Sequence, residues 1–326
     1  MRTPGPEAAP QPVTRILVVT AVPAERDAVA AAFPALDERR LPGVVLHATR
    51  STTTARTAAP AGTPGATHAP GSPRPGRAGR PPRWDLTAAG VGPAGAAAAT
   101  AAALTAAALD GEPYGLVVSA GIGGGFPPAA APGSLVVADA ITVADLGAAT
   151  PDGFVPVTGL GFGTVTHRPP PSLVRRVAAA TAAHTGTVLT VSTVTGTAAR
   201  AADLRTRHPE AVAEAMEGFG VAEAAAAHGV PVLEVRAVSN TVGPRDRAAW
   251  RIDTALDVLT GAFAQIRDVL AIPDRTAPTW EPGPGPAGSR PAAPRAPAAR
   301  TAGVPAAGTQ SAGPRGAAPP EAGTQV

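Results

Sequence analysis

The sequence contains no cysteine and no lysine, so its 27 strongly basic side chains are all arginines. The absence of cysteine excludes disulfides, thiolate catalysis and cysteine-ligated metals, and the absence of lysine excludes Schiff-base chemistry. No apolar run reaches the ~20 residues of a membrane span, and residues 1–6 lack the apolar core of a signal peptide. We therefore expect a soluble cytoplasmic protein that does not insert into membranes.

Three segments have few large apolar side chains and are rich in proline, alanine, glycine or threonine: residues 1–13, 49–83 and 273–326. Such segments bury too little surface to offset the entropy lost on folding, so we predict that all three are disordered. They hold 12 of the arginines but only 4 of the 24 acids. The remaining domain, within residues 14–272, is therefore acidic, which argues against a surface that binds nucleic acid.

Short apolar runs alternate with helical patterns along residues 14–272. The predicted strands are 16–19, 44–46, 85–89, 115–120, 134–143, 187–194, 211–215 and 232–239, and the predicted helices are 24–33, 96–109, 171–184, 199–207, 217–228 and 252–270. This alternation predicts the α/β fold class: a single three-layer domain with a central mixed sheet flanked by helices.

Two glycine-rich segments follow predicted strands. Gly90–Gly95 matches the G-x-G-x-x-G pattern, but a dinucleotide fingerprint also needs an acid at the end of the next strand. That strand ends Ser119-Ala120-Gly121, so a tight turn before a closely packed helix is favoured over NAD binding. The second segment, Gly121–Gly125, either offers backbone N–H groups to an anion or to water, or forms a structural turn.

Glu217 and Asn240 each close an apolar run that predicts a strand, and ligands bind at strand ends in open α/β sheets. Glu25 lies in the first turn of the helix that follows the first strand. Glu25 either favours the dipole of its helix or acts as a general base for water. Glu217 either marks a helix start or accepts hydrogen bonds from two ribose hydroxyls, because a carboxylate only accepts and both hydroxyls donate. Asn240 either forms an Asx turn or reads the edge of a purine. Together they indicate a nucleoside pocket, and the histidines show no metal-ligand spacing.

These residues resemble motifs of the nucleoside phosphorylase superfamily over nearly the whole domain. Ala21–Glu25 resembles the nucleosidase segment whose final glutamate activates water, and Met216-Glu217 resembles the pair that packs on the ribose and clamps it. Val235–Asn240 resembles the Val-Arg-Ala-Ile-Ser-Asp motif. Within the superfamily the sequence looks similar to methylthioadenosine/S-adenosylhomocysteine nucleosidases. It looks more similar still to the futalosine hydrolases of menaquinone biosynthesis, because the segment Asn240–Arg247 resembles theirs.

The resemblance implies an N-glycosidase without cofactor or metal, acting on a purine nucleoside as a homodimer or higher oligomer. Glu25 would position water, Glu217 would hold the ribose hydroxyls, Asn240 would bind the base and Arg236 would orient Glu217. The remaining substrate-binding residues implied by the resemblance are Met216, Ser239, Thr195, Gly196, Thr197, Gly90, Gly121 and Ile122, with Arg245 or Arg247 for the carboxylate of the substrate.

Two positions depart from the nucleosidase pattern. Ile122 stands where the nucleosidases have a serine, so this site lacks a polar side chain there. Asn240 stands where adenine-specific nucleosidases have an aspartate. An asparagine can donate to the O6 atom of a 6-oxopurine, which a carboxylate would repel, and can accept from a protonated N7. Asn240 therefore predicts hypoxanthine as the leaving base, with the N7 proton supplied by solvent or by a relay.

Three alternative functions stay open on the sequence alone. The first is a methylthioadenosine, S-adenosylhomocysteine or aminodeoxyfutalosine nucleosidase. The second is a purine nucleoside phosphorylase, although Glu25 would repel phosphate and Arg26 is expected to point away from the site. The third is a nucleoside-binding protein without catalytic activity, which would not require both Glu25 and Glu217.

Overall fold

The computed structural model describes residues 13–50 and 81–271. Most of the three segments predicted to be disordered lies outside the described residues. The two ends of the predicted insertion were assigned wrongly, because Thr49 ends one strand and Arg83 begins the next. Among the described helices, none combines the length and the apolar character needed to cross a membrane.

The described residues contain twelve strands and six α-helices. The strands are β1 (Arg15–Thr20), β2 (Leu36–Leu41), β3 (Val44–Thr49), β4 (Arg83–Ala88), β5 (Leu116–Gly125), β6 (Leu135–Val143), β7 (Gly147–Thr150), β8 (Gly153–Pro156), β9 (Thr166–His167), β10 (His184–Thr190), β11 (Ala211–Ala215) and β12 (Val232–Thr241). The helices are α1 (Pro23–Ala30), α2 (Pro93–Leu109), α3 (Pro171–Thr181), α4 (Ala198–Arg207), α5 (Gly218–Ala227) and α6 (Ile252–Ala271). Every predicted element is present, β11 with the predicted ends and the others with shifted ends, whereas β2, β7, β8 and β9 were not predicted.

The main sheet has the strand order β11-β10-β6-β12-β5-β1-β4-β3-β2, with β9 beside β6. β1 runs parallel to β4 and β5, and β12 runs parallel to β5 but antiparallel to β6. β11 also pairs with β5, so β5, β12, β6, β10 and β11 form a closed ring. This mixed sheet flanked by helices confirms the predicted fold class.

The central strand β1 divides the core into two layers. Successive side chains of a strand point to opposite faces, so Leu17 and Val19 pack on the side of α2 and α5. Ile16 and Val18 pack on the side of α1, α3 and α6. All six residues of β1 are buried, which explains the continuous apolar run Ile16–Val19 at its centre.

The glycine run Gly121–Gly125 is part of strand β5, so the predicted turn is wrong. Its glycines are needed because β5 pairs with β12 on one side and with β11 on the other. A Cβ atom on Gly123 would lie 2.8 Å from the carbonyl oxygen of Glu214, and one on Gly125 would collide with the carbonyl oxygen of Ala130. The lack of side chains therefore allows the ring of strands to close.

Helices α2 and α5 approach each other closely at their N-terminal ends. α2 is almost entirely alanine, which favours a helix and adds little bulk. On α5, a Cβ atom at Gly220 would collide with the carbonyl oxygen of Pro93. This contact brings the turn before α2 to the start of α5.

Candidate active site

Glu25 is 4% exposed in the first turn of α1 and joins this helix to β5. Its Oε2 accepts hydrogen bonds from the N–H groups of Ala21 and Val22, at 2.9 and 3.2 Å. Its Oε1 accepts from the N–H of Ile122 at 2.9 Å. A carboxylate has about four lone-pair positions, so one position remains for a further donor such as water.

Glu217 is 5% exposed at the N-terminus of α5. Its Oε1 accepts from the N–H of Gly92 at 3.1 Å, and its Oε2 accepts from the N–H of Met216 at 3.3 Å. The same Oε2 lies 3.2 Å from Nη1 of Arg236. The turn before α2 and strand β12 therefore fix this carboxylate from two sides.

Arg236 is completely buried on β12. Its Nε donates to Glu234 at 2.9 Å and its Nη2 donates to the hydroxyl of Ser119 at 3.1 Å. Its Nη1 makes no hydrogen bond within the described residues, so the contact with Glu217 is an ion pair without hydrogen-bond geometry. Burial lowers the pKa of this guanidinium, but the surrounding glutamates outweigh burial and raise the pKa overall.

Glu234 is also completely buried, two residues before Arg236 on the same face of β12. Burial raises the pKa of its carboxyl, although the neighbouring Arg236 acts in the opposite direction. Its Oε2 accepts no hydrogen bond from the described residues. A Cβ atom on Gly218 would collide with this carboxylate, which explains the glycine that follows Glu217.

These side chains converge beside one glycine of β5. A Cβ atom on Gly121 would lie 2.6 Å from Oε1 of Glu25 and 2.8 Å from Nη1 of Arg236. We call Glu25, Glu217, Glu234 and Arg236 the carboxylate cluster. It carries three carboxyl groups around one guanidinium.

Asn240 lies in β12, which continues to Thr241, so the predicted end of the strand at residue 239 and the alternative of an Asx turn are both wrong. A register shift at Ser239 places Asn240 opposite Gly124 of β5. Its Oδ1 accepts from the hydroxyl of Ser239 at 2.8 Å, and its Nδ2 donates to the carbonyl of Thr241 at 3.1 Å. One N–H and one lone pair of the half-buried amide remain available.

Glu214 on β11 is 6% exposed and holds the loop after β10. Its Oε1 accepts from the N–H of Thr195 at 2.8 Å, and its Oε2 accepts from the hydroxyl of Thr195 at 2.5 Å. Burial raises the pKa of Glu214, and the hydrogen bonds from Thr195 oppose this shift. We call Asn240, Ser239, Thr195 and Glu214 the amide cluster.

The two clusters lie next to each other along β5. Gly121 and Ile122 contact the carboxylate cluster, and Gly124 pairs with both Glu214 and Asn240. Ile122 and Gly124 are two residues apart on β5, so the backbone contacts of the two clusters are separated by roughly 7 Å along this strand.

The remaining predicted residues lie around these clusters. Gly90 donates its N–H to the carbonyl of Ala21 at 2.9 Å, so the turn before α2 contacts the end of β1. Thr197 caps α4 by accepting from the N–H of Arg200. The exposed guanidinium groups of Arg245 and Arg247 lie 5.2 and 6.0 Å from the ring of Trp250, outside both clusters. Gly196 lies against the side chain of Arg245.

Sequence analysis missed Ser119, Glu214 and Glu234. A signal existed for the two glutamates, because each is an acid inside a short strand whose other residues are mostly apolar. Buried charges of this kind require partners. Ser119 gave no comparable signal, since small hydroxyl residues are common in strands. Among the described residues, no group of three or more histidine, aspartate or glutamate side chains is arranged to bind a metal.

The sequence matches the family model described as "Phosphorylase superfamily" over residues 15–271. It is 63% identical to a futalosine hydrolase of Streptomyces coelicolor over 256 residues, covering 78% of this chain and 96% of that protein. It is 52% identical to a futalosine hydrolase of Acidothermus cellulolyticus over 187 residues, covering 56% of this chain and 74% of that protein.

Solved structures with the same fold have much lower sequence identity. The 5'-methylthioadenosine/S-adenosylhomocysteine nucleosidase of Neisseria meningitidis, in complex with methylthio-immucillin-A, has a TM-score of 0.60 at 16% identity, covering 78% of this chain and 98% of that one. The native futalosine hydrolase of Helicobacter pylori strain 26695 has a TM-score of 0.59 at 16% identity, with the same coverage. These structures support the fold.

Proposed function

Because this chain belongs to the phosphorylase superfamily, we propose that it is a futalosine hydrolase, an N-glycosidase that releases hypoxanthine and leaves dehypoxanthine futalosine. The observation that carries this proposal is the convergence of Glu25, Glu217 and Arg236 beside Gly121. The activity of the relatives at 63% and 52% identity agrees with it. We further propose that the enzyme works in the cytoplasm, in menaquinone biosynthesis, as a homodimer or higher oligomer.

Glu217 holds the ribose in this mechanism. Its carboxylate is fixed by the N–H groups of Gly92 and Met216 and by the ion pair with Arg236. Two of its about four lone-pair positions accept hydrogen bonds from Gly92 and Met216, so two remain for the 2'- and 3'-hydroxyls of the ribose. The half-buried Met216 side chain packs on the sugar.

Glu25 positions the attacking water through its remaining lone-pair position. Cleavage of an N-glycosidic bond builds positive charge on the ribose and negative charge on the purine. Three glutamates around Arg236 leave an excess of negative charge beside the ribose, which stabilises the oxocarbenium-like transition state. Glu25 accepts a proton as water attacks the anomeric carbon and the bond to the purine nitrogen breaks.

Asn240 binds the base through the N–H and the lone pair that its own contacts leave available. The N–H donates to O6 of hypoxanthine, and Oδ1 accepts from N7 once this nitrogen is protonated. Both bonds strengthen as the base leaves, so they stabilise the transition state more than the bound substrate.

Phosphorolysis fits the described residues less well. Phosphate needs a cationic side chain at the end of β1, where Glu25 lies. Arg26 pairs instead with Asp27 at 2.7 Å, and Arg236 is enclosed by glutamates. A phosphate group at this position would therefore meet carboxylates.

Chromatography of four nucleosides after incubation with the protein tests the proposal. We expect hypoxanthine from futalosine, and much slower release from aminodeoxyfutalosine, methylthioadenosine and inosine. Faster release of adenine from methylthioadenosine would identify an adenine nucleosidase instead. Binding of futalosine without release of hypoxanthine would identify a nucleoside-binding protein.

A further inference from the structure

Glu214 has no part in the mechanism above, yet it is buried and both of its oxygens bind the same residue. The N–H of Thr195 donates to Oε1, and the hydroxyl of Thr195 donates to Oε2 at 2.5 Å. An ionised carboxylate carries no proton and can only accept, so its bond with the hydroxyl uses the proton of Thr195. The hydroxyl proton of Thr195 is therefore committed to Glu214.

Two contacts place Thr195 on the same side of the molecule as Asn240. Glu214 and Asn240 pair with Gly124 from opposite sides, and directly paired residues of neighbouring strands point to the same face of the sheet. Gly196 follows Thr195 in this loop, and a Cβ atom on Gly196 would lie 3.3 Å from Cγ of Arg245. Arg245 belongs to the segment that follows Asn240. Glu214, which holds Thr195, thus shares a face of the sheet with the base-binding amide.

We infer that Glu214 is a specificity-determining positioning residue, which fixes the hydroxyl of Thr195 as a hydrogen-bond acceptor and so favours 6-oxopurine bases. The inference rests on the proposed function. Asn240 binds N7 and the substituent at C6 of the purine, and the next polar atom along this edge of the base is N1. N1 carries a hydrogen in a 6-oxopurine and none in a 6-aminopurine, so an acceptor at this position distinguishes the two.

The substitution Glu214→Gln should weaken this preference. The backbone N–H of Thr195 can only donate, so the oxygen of the glutamine must face it. The glutamine NH₂ group then faces the hydroxyl of Thr195, which has to accept, and the hydroxyl proton turns outward. An outward donor matches the unprotonated N1 of a 6-aminopurine and opposes the N1–H of hypoxanthine.

The test compares kcat/KM for futalosine and aminodeoxyfutalosine in the full-length protein and its variants. We expect Glu214→Gln to lower the ratio of kcat/KM for futalosine to that for aminodeoxyfutalosine at least ~10-fold, which is the effect of one mismatched hydrogen bond. Glu214→Asp should retain more of this preference. Thr195→Val should weaken futalosine hydrolysis without improving aminodeoxyfutalosine hydrolysis. Glu210→Gln, which changes an exposed acid just before β11, serves as the matched control and should leave the ratio unchanged.

The pH profile adds a readout that a purely structural role would not change. Burial has the largest effect on the pKa of Glu214 and raises it. Among the charged groups that face Glu214, Arg200 of α4 lowers this pKa and Asp145, after β6, raises it. Protonation of Glu214 lets the carboxyl donate to Thr195. The futalosine preference of the unchanged protein should therefore fall as pH is lowered, and that of Glu214→Gln should not.

An unchanged preference in both Glu214→Gln and Thr195→Val would overturn the inference. If circular dichroism shows that Glu214→Gln does not fold, Thr195→Val alone decides. A wild-type protein that releases no base from either substrate would instead refute the proposed function.

Discussion

Arg236 is the residue on which the geometry of the site depends. It is fully buried, and its partners are Glu234, Glu217 and Ser119. Removing one partner from a buried ion pair costs about 3–5 kcal/mol, because the other charge is left without compensation. The guanidinium therefore keeps the carboxylates together at a distance where, alone, they would repel each other.

Glu25→Gln should abolish most of the hydrolytic activity. The amide keeps only one carbonyl oxygen, so its NH₂ group must face one of the N–H groups that Glu25 binds, and it cannot take a proton from water. Loss of a general base lowers kcat by about 10²–10⁴-fold, with a smaller change in KM. Asp27→Asn is the matched control, since Asp27 is an exposed acid of the same helix whose carboxylate pairs with Arg26. A Glu25→Gln variant with near-normal kcat would remove Glu25 from the mechanism.

Asn240→Asp should shift the preference from 6-oxo to 6-amino nucleosides. The new carboxyl group repels O6 of hypoxanthine when ionised and can accept from a 6-amino group. We expect futalosine hydrolysis to fall by ~10-fold or more relative to aminodeoxyfutalosine, as when one buried hydrogen bond is lost. Competition between the two substrates in one reaction, followed by chromatography, measures the ratio directly. Unchanged selectivity would refute the role of Asn240 at the base.

At the scale of elements, strand β5 organises the site. Its glycines allow Glu25 and Arg236 to approach on one side and β11 to pair on the other. Gly121→Ala should therefore reduce kcat by ~10-fold or more, since displacement of catalytic groups by about 1 Å has effects of this size. Gly261→Ala on α6 is the control, because a Cβ atom there meets nothing within 4 Å. It should stabilise the protein by up to about 1 kcal/mol. Equal activity in the two variants would contradict the account of β5.

The apolar strands and helices could be predicted because their patterns are local. β2, with the sequence Leu-Asp-Glu-Arg-Arg-Leu, was missed because a polar edge strand has no apolar alternation. The continuation of β5 through Gly121–Gly125 was missed because glycine usually favours turns, and only the long-range pairings with β12 and β11 explain it.

The site was also predicted only in part, because some of its residues are recognised only through contacts that are distant in the sequence. Glu25, Glu217 and Asn240 were found because they follow apolar runs, and the comparisons confirm the family that their motifs indicated. Their roles stay predictions. Glu214 and Glu234 stand out as acids within mostly apolar strands, but their contacts with Thr195 and beside Gly218 are distant in the sequence and only the structure reveals them.

At the scale of the whole molecule, buried carboxyls make stability depend on pH. Burial raises the pKa of Glu234 above its ordinary 4.5, so the native state binds this proton more tightly than the unfolded chain. The free energy of unfolding should therefore fall as pH rises from 4.5 through the raised pKa. His208 has the opposite effect nearer neutral pH, because burial lowers its pKa.

Urea unfolding of the wild type and of Glu234→Gln at several pH values isolates this contribution. The difference between the two free energies of unfolding should change as pH rises from 4.5 through the raised pKa of Glu234. It should be constant at lower pH, below the pKa of Glu234 in the unfolded chain. A difference that is independent of pH would mean that Glu234 has the same pKa in the folded and unfolded states.

The central claim is that this protein cleaves futalosine with water. The most direct test follows hypoxanthine release from futalosine by the purified protein in phosphate-free buffer and again with added phosphate. We predict the same rate in both buffers, with equimolar dehypoxanthine futalosine as the second product. Release that requires phosphate and yields a sugar 1-phosphate, or no release at all, would contradict the account.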